Sequence, residues 1–469
     1  MASVVAGSSG RRGAAYATGW LVAATAVLAL DALPGDTTSL IVAGVSALSI
    51  ALGVVVFMRH GGDRVTVAGI HSLVFAVLVG FAGCYLVLNP SSRTSPGYLL
   101  AAVLICYVGQ VMTWAICWAG QDPPAPPVRF ADRPSLSTVA IGAGLLLAAL
   151  FVLDRVDASG VARTACGFVG AVLIAVGTQR AGPGHRVLWC VPAAAAFAVY
   201  YTYLFGGWGR IVVVSLALAM LMALSHRLAG RFVKLATLAA AAPVLIALTK
   251  IQGVSPGLTG VPRERGIGSV VSPLECFAML LAQHRDGSLP LGWGRTFAAA
   301  AVALVPRALW PDKPVGFGAE LVAYVSPDLT GTIHSDAALF QGEWLFNFGL
   351  PGLALMVAVT GLFVRWLDGL LVRAVARPLG NLRDNLRYAA MLVAVTGVID
   401  LAWLGSFGYV ARAGSRLAVL GVILLGVWSL RLRADDAAHD AAHNAAYNAA
   451  PGAASGRPAG DLASTGRSP

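Results

Sequence analysis

SLIVAGVSALSIALGVVVFM, residues 39 to 58, contains no charged side chain and no proline. Twenty residues of α-helix at 1.5 Å each span about 30 Å, the thickness of a bilayer's hydrocarbon core. Similar runs recur along the whole chain. Of the 469 residues, 57% are hydrophobic and 12% charged, and the mean hydropathy is +0.75. Soluble domains carry roughly 25% charged residues. These values exclude a large water-soluble enzyme and a disordered scaffold. Long continuous apolar runs, rather than alternating ones, also exclude an outer-membrane barrel. The expected fold class is all-α, a polytopic helical membrane protein.

About twelve runs are long enough to cross. They are Ala14–Leu33, Ser39–Met58, Val65–Leu88, Tyr98–Ala119, Ser137–Leu153, Val161–Thr178, Leu188–Phe205, Ile211–His226 and Phe232–Lys250, then Trp344–Trp366, Leu386–Leu404 and Ser415–Leu430. The stretch Phe297–Val305 is too short to span and reads as an interfacial or re-entrant helix. If it does not cross, Arg365, Arg373, Arg377, Arg383 and Arg387 fall on the cytoplasmic side with most other arginines, as the positive-inside rule favours. The expected layout is therefore a cytoplasmic N-terminus (1–13), nine helices (14–250), one large extracytoplasmic loop (251–343), three helices (344–430) and a cytoplasmic tail (431–469).

The net charge of +11 belongs with this topology rather than with nucleic acid. None of the six cysteines has metal-ligand spacing, and no metal site or cofactor is expected. The Pro-rich segment Gln121–Arg133 reads as a cytoplasmic linker. The tail repeats AAHD, AAHN, AAYN and AAPG, so His439 and His443 read as low-complexity sequence rather than ligands.

The long outer loop holds Arg263, Arg265, Arg285, Arg295, Arg307 and Lys313, cations on the side that topology disfavours. Any one of them also fits a solvated or headgroup-bound position. Within VPRALWPDKP, residues 305 to 314, three prolines stiffen the backbone around Arg307 and Lys313. A rigid cationic loop at headgroup level suits a pyrophosphate, which Arg grips with a fork and Lys with a point charge. Further along, SDAALFQGEWLFNFG, residues 335 to 349, runs from a polar loop directly into an apolar helix with Glu343 at its mouth.

VPRALWPDKP followed by QGEWLFNFGLPG resembles the signature of the O-antigen (oligosaccharide repeat-unit) polymerases, the Wzy type. The matching residues are Pro306, Arg307, Trp310, Pro311, Lys313, Pro314, Gly342, Glu343, Asn347, Phe348, Gly349 and Gly352. GGWGR, ending at Arg210, is a weaker match, because Trp208 and Ile211 stand where the family has small residues. The resemblance covers Pro306–Gly352.

It implies a bacterial cytoplasmic membrane enzyme with both termini inside. Such an enzyme transfers a glycan from a polyprenyl-pyrophosphate carrier onto a lipid-linked repeat unit at the outer face. Its partners would be that lipid-linked oligosaccharide and the bilayer, with a flippase and a chain-length regulator as further expectations and no nucleic acid.

The expected roles follow from that chemistry. Arg307, Lys313 and Arg210 bind pyrophosphate, assisted by Arg265 and Arg295. Glu343 is the first candidate base, or else the ion-pair partner of Arg307 or Lys313, with Asp336 and then His334 behind it. Within the spans, Asp400 either borders this site near Arg412 and Arg416 or serves helix packing, and His71 reads as an interhelical hydrogen-bonding group. Two other functions remain open: a glycan ligase with the same donor, and a transporter of the same lipid-linked oligosaccharide.

Overall fold

The computed structural model describes residues 35–118, 134–155, 160–179, 190–205, 210–225, 233–240, 266–332, 334–376 and 379–429. Most of the described residues are helical, with no β-strand among them. The expected span Ala14–Leu33, the linker Gln121–Arg133, most of Phe232–Lys250, the loop start at 251–265 and the tail from 430 lie outside them. Residues 1–420 form one compact unit and 421–469 another, of which 421–429 are described as helix.

Among the described residues, six helices are long and apolar enough to cross a membrane: Thr37–Arg59, Val67–Leu88, Pro96–Trp118, Gly160–Gly177, Leu339–Val375 and Val398–Ser429. In chain order we label Gly35–Arg59 as α1, Val67–Leu88 as α2 and Pro96–Trp118 as α3. Leu136–Val152 is α4, Gly160–Gly177 α5, Cys190–Leu204 α6, Arg210–Ser225 α7, and residues 233–240 α8. The ends of α2, α3 and α5 fall within two residues of the expected spans.

Polar side chains tie these helices together inside the apolar layer. Ser49 of α1 donates to Gln110 of α3 at 2.7 Å, and the Gln110 amide donates to the Ser72 carbonyl of α2 at 3.1 Å. At the start of α2, the backbone amides of Val67 and Ala68 donate to the Asp368 carboxylate at 2.6 and 3.2 Å. An acid there satisfies free amides and meets the positive end of the helix dipole.

From residue 266 the expected outer loop is largely helical. Gly268–Arg285 is α9, Arg295–Ala301 α10 and Phe317–Val325 α11. The α9 helix packs on α3 and on the later helix Leu339–Val375, α12, burying Leu274, Phe277, Leu280 and Leu281. Ser269, Ser272, Glu275 and Gln283 make it too polar to read as a span. The short helix expected at Phe297–Val305 is α10, beginning at Arg295.

Trp344–Trp366 was expected as one continuous span, yet α12 breaks at Gly349, with φ 65° and ψ −156°. Only glycine adopts that backbone readily. Pro351 has no N–H for the Asn347 carbonyl. Instead, the amides of Gly292 and Trp293 donate to the Phe346 and Asn347 carbonyls at 2.8 and 3.0 Å. The chain then bends back on itself. A Cβ placed on Gly352 would sit 2.7 Å from the Trp344 carbonyl oxygen. Gln341 and Thr360 also line one cavity of about 10 Å³, although a straight helix would hold them ~28 Å apart. Residues 339–348 are thus a half-helix folded against the remainder of α12.

The expected span Leu386–Leu404 is likewise divided. Leu382–Thr396, α13, stops before Gly397, and Val398–Tyr409, α14, contains a break at Gly405 with φ 79° and ψ −166°. A π-helical segment, Val410–Gly414, follows and carries Arg412. Such π segments occur often at functional sites.

Candidate functional site

The breaks in α12 and α14 meet at Glu343. Its carboxylate is fully buried and accepts hydrogen bonds from the Ser406 amide at 2.6 Å, the Ser406 hydroxyl at 2.7 Å and the Thr296 hydroxyl at 3.0 Å. Gly405 makes the first of these possible. Its left-handed backbone turns the next amide outward, and a Cβ there would collide with the Glu343 carboxylate. Asn347 closes the knot by donating to Thr296 at 2.7 Å and accepting from the Gly294 amide at 3.0 Å. Glu343 therefore fastens α10, α12 and α14 together.

Beyond that knot lies a charged cluster. Asp400 is fully buried and accepts from Arg412 at 2.8 Å, while Arg416 lies 3.8 Å from its second oxygen. Arg416 is almost wholly buried, and its guanidinium sits 3.9 Å from the centre of the Phe168 ring. The Tyr200 ring meets Phe168 edge-on. Arg412 retains about a third of its side chain exposed, at 30%. Two guanidinium groups share one carboxylate, so the cluster carries an excess positive charge in surroundings that screen it poorly. The α10 helix packs on α14 and on the π segment, and Leu304 lies against Gly414.

The sequence-derived cations are placed differently from expectation. Lys313 is buried, and its ammonium donates to the Ala303 and Val305 carbonyls at 2.9 and 2.7 Å. Arg307 is exposed and donates to the Pro311 carbonyl at 3.0 Å. Both cations thus bind the backbone of their own segment, and neither pairs with Glu343 in the manner anticipated. Arg295 forms a 2.6 Å ion pair with Glu320 and lies over the Phe346 ring at 5.1 Å. His334 and Asp336 pair at 3.0 Å, and both remain partly accessible. Arg210 begins α7, its side chain lying outside the described set, and Arg265 lies outside the described residues altogether. On the loop side of the Gly349 break, burial holds His284 below its usual pKa.

The structure thus joins Asp400 to Arg412 and Arg416, Glu343 to Thr296 and Ser406, and His334 to Asp336. Thr296, Ser406 and Phe168 were not anticipated. A lone hydroxyl or an apolar ring carries no mark in a single sequence, and only the glycines beside the breaks could have pointed to them. No group of three His, Cys, Asp or Glu side chains able to hold a metal occurs among the described residues.

No family model, curated protein or solved structure matches the chain.

Proposed function

We propose that the chain is a membrane glycosyltransferase that polymerises lipid-linked repeat units at the outer face of the bacterial cytoplasmic membrane, with both termini inside. The observation that carries this is the Asp400–Arg412–Arg416 cluster with its surplus cation. A buried excess positive charge favours an anionic partner, and a diphosphate leaving group matches the fork of Arg412. The resemblance of Pro306–Gly352 to the repeat-unit polymerases supports the same chemistry.

In that reaction an acceptor hydroxyl oxygen attacks the donor sugar's anomeric carbon. The bond from that carbon to the diphosphate oxygen breaks, and the polyprenyl pyrophosphate leaves with the electron pair. The acceptor's proton passes to a base. Glu343 already accepts three hydrogen bonds and has no exposed surface, so we assign it to positioning. The partly accessible Asp336–His334 pair takes the base role instead. Arg412 stabilises the departing diphosphate, Arg416 fixes Asp400, and Arg307 and Lys313 shape the loop beside it. A flippase that delivers repeat units and a chain-length regulator would be its partners.

A second reading has its own support. Paired broken helices are the architecture in which membrane transporters bind substrate, which favours a lipid-linked oligosaccharide transporter. The test is the size distribution of surface glycan in cells deleted for the gene and complemented with wild type, Arg412→Ala or Arg307→Ala. Single repeat units at the surface, extended to long polymer by wild type but not by Arg412→Ala, support the polymerase. Full-length polymer left on its carrier means a ligase, and repeat units retained on the inner leaflet mean a transporter.

A further inference from the structure

A separate cavity of about 40 Å³ lies where the ends of α2 and α3 meet α9, lined by Ser39, Ser91, Thr94 and Glu275 among others. Glu275 is almost entirely buried. One of its oxygens, Oε2, lies 3.9 Å from Arg93, too far for a hydrogen bond. Arg93 meanwhile donates to the Val325 carbonyl at 2.7 Å. The other carboxylate oxygen, Oε1, is buried without a hydrogen-bond partner, and so is the Thr94 hydroxyl. An uncompensated buried carboxylate oxygen is costly and calls for a partner.

The rest of the lining favours a cation over a further hydrogen-bond donor. Leu86 and Val87, also in the wall, lie in the last turn of α2, where carbonyls lack intrahelical donors and the helix dipole is negative. Position 90 is proline, so the Leu86 carbonyl has no amide four residues on. Carboxylate, hydroxyls and carbonyls form an all-oxygen donor set, the type that hard cations take. A single carboxylate beside an arginine suits a monovalent ion better than calcium or magnesium. The volume accommodates one small ion with a water or two.

We propose that this cavity is a sodium site, with Glu275 and Thr94 as side-chain ligands, which locks α9 to the ends of α2 and α3. The proposal stands apart from the transferase assignment, and its readout does not involve glycan. The full chain, purified in detergent micelles, is melted while sodium chloride replaces choline chloride at constant ionic strength. The expected result is a saturable rise in Tm with sodium that is lost in Glu275→Gln and in Thr94→Val. An equal Tm in both salts overturns the proposal, as does a sodium response that survives in both variants. Thr94→Val removes a single hydroxyl, so it decides the matter if Glu275→Gln does not fold.

Discussion

The Glu343 carboxylate accepts a 2.6 Å hydrogen bond from the backbone amide of Ser406, sixty-three positions along the chain. An amide inside a continuous helix has an intrahelical partner. This one is free because Gly405 leaves the helical backbone. One carboxylate thereby holds two broken helices and, through Thr296, the short helix lying over them.

Gly405→Ala is expected to destabilise the protein by about 1–3 kcal/mol through backbone strain alone. Collision with Glu343 adds to this. Glu343→Ala, which leaves the Ser406 amide and two hydroxyls without their acceptor, costs about 1–3 kcal/mol for each group left buried and unpaired. Gly144→Ala, in a helix with open space around it, serves as the control and leaves stability unchanged or raised. Thermal melts of the four proteins in one detergent check the order. Equal melting of Gly405→Ala and Gly144→Ala would remove the knot from the account of stability.

Lys313 yields a prediction that separates two roles. Its ammonium holds the Ala303 and Val305 carbonyls, so Lys313→Met is expected to loosen residues 303–313. Limited proteolysis then cuts the variant in that segment faster than wild type. A lysine whose main task is to grip phosphate would leave the cleavage pattern unchanged and affect glycan output alone.

The sequence makes the layer of spans legible because apolar length is a strong signal, and α2, α3 and α5 fall close to where it places them. It hides the breaks, since Gly349 and Gly405 sit in apolar runs like many other glycines. Only φ distinguishes the ones that bend the chain. It also hides α9, whose Glu275 is buried and whose Ser269 and Ser272 hydroxyls bond to carbonyls of their own segment. At the site, Asp400 and Arg412 stand out because a charge within an apolar run is conspicuous. Lys313 misleads for the converse reason. A cation in a proline-rich loop looks available to a ligand, while the fold turns it onto its own backbone.

His60, in the turn between α1 and α2, connects pH to stability. Burial and the nearby Lys234 charge lower its pKa from the ordinary 6.5. The unfolded chain therefore takes up the proton more readily than the folded one. The stability His60 contributes is complete above pH 6.5 and is lost as pH falls from there through the folded value. His60→Gln is expected to keep a side chain able to bond Thr66, which His60 meets at 2.9 Å, and to flatten that decline. Melting curves between pH 8 and pH 5 measure both slopes, and parallel slopes would exonerate His60.

Asp400 separates binding from folding. Asp400→Asn leaves Arg416 buried against Phe168 without its counter-charge, and breaking a buried pair in this way costs about 3–5 kcal/mol. Adding Arg416→Met removes the stranded charge with a side chain of comparable length, so the double variant is expected to melt closer to wild type than Asp400→Asn does. Arg412 is the partly accessible member but also the one that hydrogen-bonds Asp400. Arg412→Gln, whose amide can still donate to that carboxylate, is therefore expected to lower Tm less than Asp400→Asn while lowering polymer output about 100-fold, as the loss of a preorganised charge donor does. The pattern to look for is a double variant that folds without working, beside an Arg412→Gln protein that melts above Asp400→Asn and also fails. Normal polymer from Arg412→Gln would place the diphosphate elsewhere and reduce the cluster to a device for packing helices.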